Sequence, residues 1–147
     1  MPDVLGPGEG RILEARGSVM VFKAVAATTG GRFSLMDRSL PPGGRMPPSH
    51  RHPATTEAFL VLGGTVGFTV DGESASVGEG GFVLVPPGAG HTFGNLGSEP
   101  ARVVIVHAPA LDAYFEELAE LWSGAEPPAR QAELELMRRH GLEPTEP

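Results

Sequence analysis

The segment His50-Arg51-His52-Pro53-Ala54-Thr55-Thr56-Glu57 carries two histidines two residues apart and a carboxylate five positions later. The chain has only five histidines, and a third, His91, follows the turn-forming run Pro86-Pro87-Gly88-Ala89-Gly90. Three neutral imidazoles and one carboxylate suit a divalent first-row metal ion. Four protein ligands on a six-coordinate ion would leave two positions for water, dioxygen or a substrate oxygen. On a strand His50 and His52 point the same way, whereas Glu57 lies at an odd offset from both. A turn or bulge at Pro53–Thr56 would be needed to bring it to their side. On spacing alone, a metal centre and a pair of surface histidines beside an unrelated glutamate both remain open. If the histidines do ligate, protons compete with the metal, and affinity should fall as pH drops through about 6.5.

Other chemistries are excluded. The chain has no cysteine, hence no disulfide, thiolate ligand or cysteine nucleophile. It has no nucleophile elbow of the GxSxG type and no phosphate-binding glycine loop. The formal net charge is −7 and no basic run occurs, which argues against nucleic acid as a partner. No apolar run reaches membrane-spanning length and the N-terminus lacks the features of a leader, so a cytoplasmic protein with no membrane partner is expected.

The elements that would position these residues are short. A chain of 147 residues with 40% hydrophobic residues suits one domain with one core, and 21 glycines with 15 prolines favour many turns. Residues 1–16 read as a flexible lead-in. Between 17 and 109, strand-like runs such as SVMVFKAVA, AFLVLGG and ARVVIVHAP alternate with turn signals, among them Asp71-Gly72. This pattern predicts an all-β antiparallel barrel or sandwich. Residues 110–147 change character. Leu111, Tyr114, Phe115, Leu118, Leu121 and Trp122 fall on one helical face, and ARQAELELMRRHG predicts a second helix stopped by Gly141. Such a face is too short to form its own core, so these helices should pack on the β-structure.

Two patterned segments resemble the cupin signatures. The first runs Gly44, five residues, His50-x-His52, four residues, Glu57, six residues, Gly64; the second runs Gly80, five residues, Pro86-x-Gly88, two residues, His91, three residues, Asn95. Every anchor position matches, over residues 44–95. The flanking layout is similar to that of small quercetin dioxygenase-like cupins. The resemblance implies a cupin-type conical antiparallel β-barrel (a jelly roll) with C-terminal α-helices. It implies His50, His52, Glu57 and His91 as ligands of one divalent metal ion per chain, whether Fe, Ni, Mn or Zn. Asn95 would hold a loop. Gly64, Gly80 and Gly88 would sit where positive φ is needed. Compact bacterial cupins of this kind are often homodimers, with a small molecule as substrate.

Period two extends these expectations to the barrel interior. Phe59 and Val61 follow Glu57, Phe93 follows His91, and Phe68 with Val70, and Phe33 with Leu35 and Asp37, are candidates on neighbouring strands. They would either fill the core or line an apolar pocket. His107, on the last long strand, could donate to a ligand or act as a base; alternation does not fix its direction. Arg45 and Arg51 flank the ligands and could meet an anionic substrate, although Arg51 alternates away from the histidines. Three functions fit: a dioxygenase for a small enolic or phenolic substrate with Glu57 as ligand and proton acceptor, a non-redox isomerase, lyase or cyclase, and a non-catalytic binding module.

Overall fold

The computed structural model describes residues 3–145. Two antiparallel sheets face each other across one core. Their strands are β1 (Arg11–Ala15), β2 (Ser18–Ala24), β3 (Ser34–Leu40), β4 (His50–Arg51), β5 (Thr56–Gly63), β6 (Val66–Val70), β7 (Glu73–Val77), β8 (Phe82–Val85), β9 (His91–Gly94), β10 (Ala101–Ala108) and β11 (Glu143–Pro144). The larger sheet has the order β1-β2-β3-β10-β5-β8 and the smaller β11-β4-β9-β6-β7. From β3 to β10 the chain alternates between sheets except at the β6–β7 hairpin, which is the double-wound jelly-roll path. Tight turns make the reversals possible. At Asp71-Gly72 both residues take positive φ, 48° and 82°, and the ladder continues directly from Val70 to Glu73.

The lead-in is shorter than expected. Arg11–Ala15 is not loose but pairs along its whole length with β2 and buries Leu13 and Ala15. Residues 1 and 2 of that segment lie outside the described residues. The C-terminal segment contains α2 (Asp112–Leu121) and α3 (Arg130–Arg139), after a single turn, α1 (Ala26–Thr29), earlier in the chain. As its periodicity requires, α2 buries Tyr114, Phe115 and Leu118. Phe115 meets Phe22 of β2, with ring centroids 5.8 Å apart. The chain then returns to the small sheet, where β11 pairs with β4, an element the sequence did not suggest. Residues 146 and 147 lie outside the described residues. Among the described residues no helix is long and apolar enough to cross a membrane.

The inner face of the large sheet is layered by register. Ser34, His107 and Glu57 lie side by side on β3, β10 and β5; the next level is Met36, Ile105 and Phe59, and the one after is Arg38, Val103 and Val61. All nine are buried. A polar level therefore sits above an apolar one, and a guanidinium sits below it. Phe59 packs with Phe68 and Phe93 of the small sheet, at centroid separations of 4.9 and 5.0 Å. These three rings fill the centre of the barrel.

The inward residues of β3 are one position away from those expected. Period two places Phe33, Leu35 and Asp37 inward. The structure turns Ser34, Met36, Arg38 and Leu40 inward instead, and Phe33 stands before the strand, 38% exposed. A one-residue slip exchanges the two faces of a strand, and FSLMDRSL alternates too weakly to fix the choice.

Candidate metal centre

The two sheets supply opposite halves of the site. His50 on β4 and His91 on β9 are directly paired across neighbouring strands. Residues 52–55 lie outside strands, and the chain crosses there to the large sheet, where Glu57 belongs to β5. The odd offset of Glu57 is thus resolved by a change of sheet: histidines and carboxylate point inward from facing walls.

One ligand atom from each of His50, His52, Glu57 and His91 lies within 4.8 Å of every other. His50 Nε2 is 3.0 Å from His52 Nε2. Glu57 Oε1 is 2.7 Å from His91 Nε2 and 3.3 Å from His52 Nε2. Bonds of about 2.0–2.2 Å to one ion separate adjacent ligand atoms by about 3 Å and opposite ones by about 4 Å, so the cluster has the size of a coordination shell. The donors are also oriented. His50 Nδ1–H donates to the Pro48 carbonyl at 2.7 Å and His91 Nδ1–H to that of Ala89 at 3.0 Å. Those bonds place a proton on Nδ1 and leave Nε2 facing the centre; at His91 the proton that Nε2 shares with Glu57 Oε1 has to leave before that nitrogen can ligate. Among the described residues, His52 Nδ1 is buried without a partner. The donor set fits a divalent ion, and this buried cluster could hold one.

His107 is the residue whose direction the sequence left open. It lies opposite Glu57 in the β10–β5 ladder, is 1% exposed, and its Nε2 is 2.9 Å from Glu57 Oε2. The two carboxylate oxygens therefore have separate tasks: Oε1 faces the three candidate imidazole ligands and Oε2 is held by His107. Phe115 covers the other side of the His107 ring, with centroids 5.4 Å apart.

Electrostatics favour the ligand-ready form at His50, His52 and Glu57. Burial, with the charge of His91, lowers His50 to about 4, and burial lowers His52 to about 3. Burial works against the Glu57 carboxylate, but the charge and hydrogen bond of His107, with the hydrogen bond of His91, hold it well below its ordinary range. His91 moves the other way: burial lowers it, but the hydrogen bond and charge of Glu57, with the bond to the Ala89 carbonyl, together raise it. A common loss of all three imidazoles through 6.5 is therefore not what the site supports.

The remaining candidates divide. Phe59, Phe68 and Phe93 point inward but are occupied with one another. Phe33 and Leu35 do not reach the site. Arg51 is exposed and bonded to Glu143 at 2.6 Å, and Arg45 is exposed on the loop before β4, its guanidinium 5.7 Å from the Trp122 ring. Asn95 holds a loop, donating to the Leu40 and Glu99 carbonyls. The sequence reading missed two buried arginines, Arg16 and Arg38.

Comparison with known proteins agrees with this geometry. The family model for the cupin domain matches residues 36–107. The chain is 30% identical over 125 residues to a quercetin 2,3-dioxygenase of Bacillus subtilis, covering 84% of this chain and 36% of that protein. It is 33% identical over 109 residues to gentisate 1,2 dioxygenase 1 of Aquipseudomonas alcaligenes, covering 68% of this chain and 31% of that protein. The chain thus spans about a third of the length of these relatives. Among solved structures, the polyketide cyclase RemF of Streptomyces resistomycificus superposes with a TM-score of 0.63 at 21% identity, over 74% of this chain and 80% of that one. With the jelly-roll path, the two signature segments and the facing His, His, His and Glu side chains in agreement with these matches, the chain belongs to the cupin superfamily.

Proposed function

We propose that the protein is a metal-dependent dioxygenase for a small enolic or phenolic substrate. The observation that carries this reading is the complete, buried set of His50, His52, Glu57 and His91, and the similarity to two dioxygenases supports it. A divalent ion held there, whether Fe, Ni, Mn or Zn, would supply Lewis acidity and coordination positions for substrate and dioxygen. The chain's own residues do the rest. The three imidazoles present Nε2 donors, that of His91 once its shared proton has left. Glu57, kept ionised by His107 and His91, accepts the proton of an acidic substrate hydroxyl. His107 fixes the carboxylate so that the accepting oxygen faces inward. Burial of every ligand keeps bulk water from the reacting groups.

Oxygen-electrode assays of the metal-loaded protein against flavonols, catechols and diketones test the proposal. Substrate-dependent oxygen uptake is expected, and Glu57→Gln at saturating metal should be slower by about 10²–10⁴-fold. Product formation from the same panel without oxygen uptake would move the site to the second reading, Lewis-acid isomerase, lyase or cyclase chemistry. The fold likeness to a cyclase is compatible with that reading. We also propose a homodimer. The outer face of the large sheet carries Leu60, Phe82 and Leu84 at 41%, 60% and 55% exposure, a patch that a second copy would cover. Sedimentation equilibrium measures it, and a monomer at high concentration would exclude it.

A further inference from the structure

The geometry points to a carboxylate-binding site at Arg38, beneath the apolar level of the barrel and separate from the metal cluster. Arg38 is 2% exposed, and its partners do not account for it. Nε donates to Ser18 Oγ at 2.9 Å, and the guanidinium carbon lies 5.4 Å from the centre of the Phe93 ring. Among the described residues neither of these contacts supplies a carboxylate to face the guanidinium. A guanidinium has five N–H donors, and an interior cation with no counter-charge beside it is costly. The buried carboxylates are already engaged: Glu133 pairs with Arg16, and Glu57 serves the histidines. Burial, then the charge of Arg16, lowers Arg38 to about 9, the sign of a cation short of a counter-charge.

Arg38 faces a small void of about 10 Å³, lined also by Arg16, Ser18, Arg45 and Asn95. It has room for one water-sized group such as a single carboxylate oxygen. Outside it lies a surface cleft of about 410 Å³, lined by Arg45, Met46, Pro48, Trp122, Pro128 and Glu133 among others. Arg45 lines both spaces, and the Arg16–Glu133 ion pair joins their walls. Trp122 adds an idle donor, its Nε1 being buried with no partner among the described residues. Arg16 is itself unusual. It occupies the β1–β2 turn at φ 53°, where glycine or asparagine is the easy choice, and turns its guanidinium inward. Three arginines thus converge on one void in a chain whose net charge is −7. The ligand that fits is a monocarboxylate with a compact apolar body. One oxygen enters the void against the planar fork of Arg38, the other meets Arg45, and the body rests against Trp122, Met46 and the prolines.

Trp122 is the only tryptophan, so its fluorescence reports the cleft. The test titrates cyclohexanecarboxylate and the neutral cyclohexanecarboxamide into the full chain, both metal-loaded and metal-stripped. A saturable change with the carboxylate in both forms is expected, with the amide about tenfold or more weaker. Arg38→Met should weaken carboxylate binding by about tenfold to a hundredfold. Arg45→Gln, an exposed position that leaves the interior untouched, should weaken it several-fold. Arg102→Gln, which removes an exposed arginine paired with Asp37 on the outer face, should leave it unchanged. Several results would overturn the proposal: no saturable signal in wild type, equal binding of amide and carboxylate, wild-type affinity in Arg38→Met, or an equal loss in Arg102→Gln. If Arg38→Met does not fold, unchanged affinity in Arg45→Gln overturns it alone. The metal-stripped titration keeps this outcome independent of the metal centre.

Discussion

Replacing His107 by phenylalanine removes one bond from the metal centre without touching a candidate ligand. The ring volume is kept, and Phe115 already offers an aromatic face on that side. What is lost is the 2.9 Å bond between His107 Nε2 and Glu57 Oε2, whose side chains are 1% and 4% exposed. No solvent is at hand to replace it. A hydrogen bond to a charged group is worth about 1.5–3 kcal/mol, and loss of such an outer support weakens metal binding by about 10–100-fold. The two magnitudes agree, since 1.4 kcal/mol is about a factor of ten in affinity. Metal affinity in competition with a chromophoric chelator should therefore fall by about 10–100-fold in His107→Phe. His107→Gln, which restores a donor, should recover part of the loss. Circular dichroism would verify the fold of both variants. A folded His107→Phe protein with wild-type metal affinity would refute the assignment of His107 as the support of Glu57.

Three further outcomes follow from the geometry. His91, raised by Glu57, takes up its proton first as pH falls, while His50 and His52, lowered to about 4 and about 3, stay neutral. Metal affinity measured by calorimetry should decline from near neutral pH with a slope of about one proton per ion, steepening only at strongly acid pH; a three-proton slope beginning near 6.5 would contradict this. Gly64→Ala should destabilise by roughly 2–4 kcal/mol in urea denaturation, because φ is +71° and a Cβ would lie 2.5 Å from the Pro100 carbonyl oxygen. Gly80→Ala, at φ +83° in open space, should lose only about 1 kcal/mol, and equal losses would show that contact is not the cause at Gly64. Glu133→Gln strands the buried Arg16 guanidinium and should lower stability by about 3–5 kcal/mol, with the melting temperature falling in step; an unchanged melting temperature would remove α3 from the support of the barrel.

The candidate metal ligands were legible because their spacing carries geometric information. Histidines at alternate positions share a face on any extended segment, and the turn before His91 allows it to point back. Glu57 needed the resemblance, since its offset makes sense only when Pro53–Thr55 carries the chain from one sheet to the other. His107 was visible as a residue but not as a partner, because strand alternation gives two faces and pairing register decides which one meets Glu57. Phe33 and Leu35 were misplaced for a related reason. The inward face of β3 carries Ser34 and Arg38 as well as Met36 and Leu40, so polarity did not mark it. The buried arginines were illegible for the strongest physical reason: Arg16 in a hairpin turn and Arg38 in an alternating strand both read as solvent-facing, and only tertiary contacts with Glu133, Ser18 and Phe93 draw them in. The strand β1 was hidden because its exposed alternate positions hold apolar Ile12 as well as Glu14, so polarity does not mark the buried face of Leu13 and Ala15.

The direct test of the metal centre is the stoichiometry of a divalent ion, read by elemental analysis after equilibrium dialysis of metal-stripped protein against manganese or nickel. One ion per chain is expected in the wild type, with almost none retained by a folded His52→Ala/His91→Ala double variant. Failure of the wild type to bind, or one ion per chain in the double variant, would contradict the assignment of His50, His52, Glu57 and His91 as its ligands.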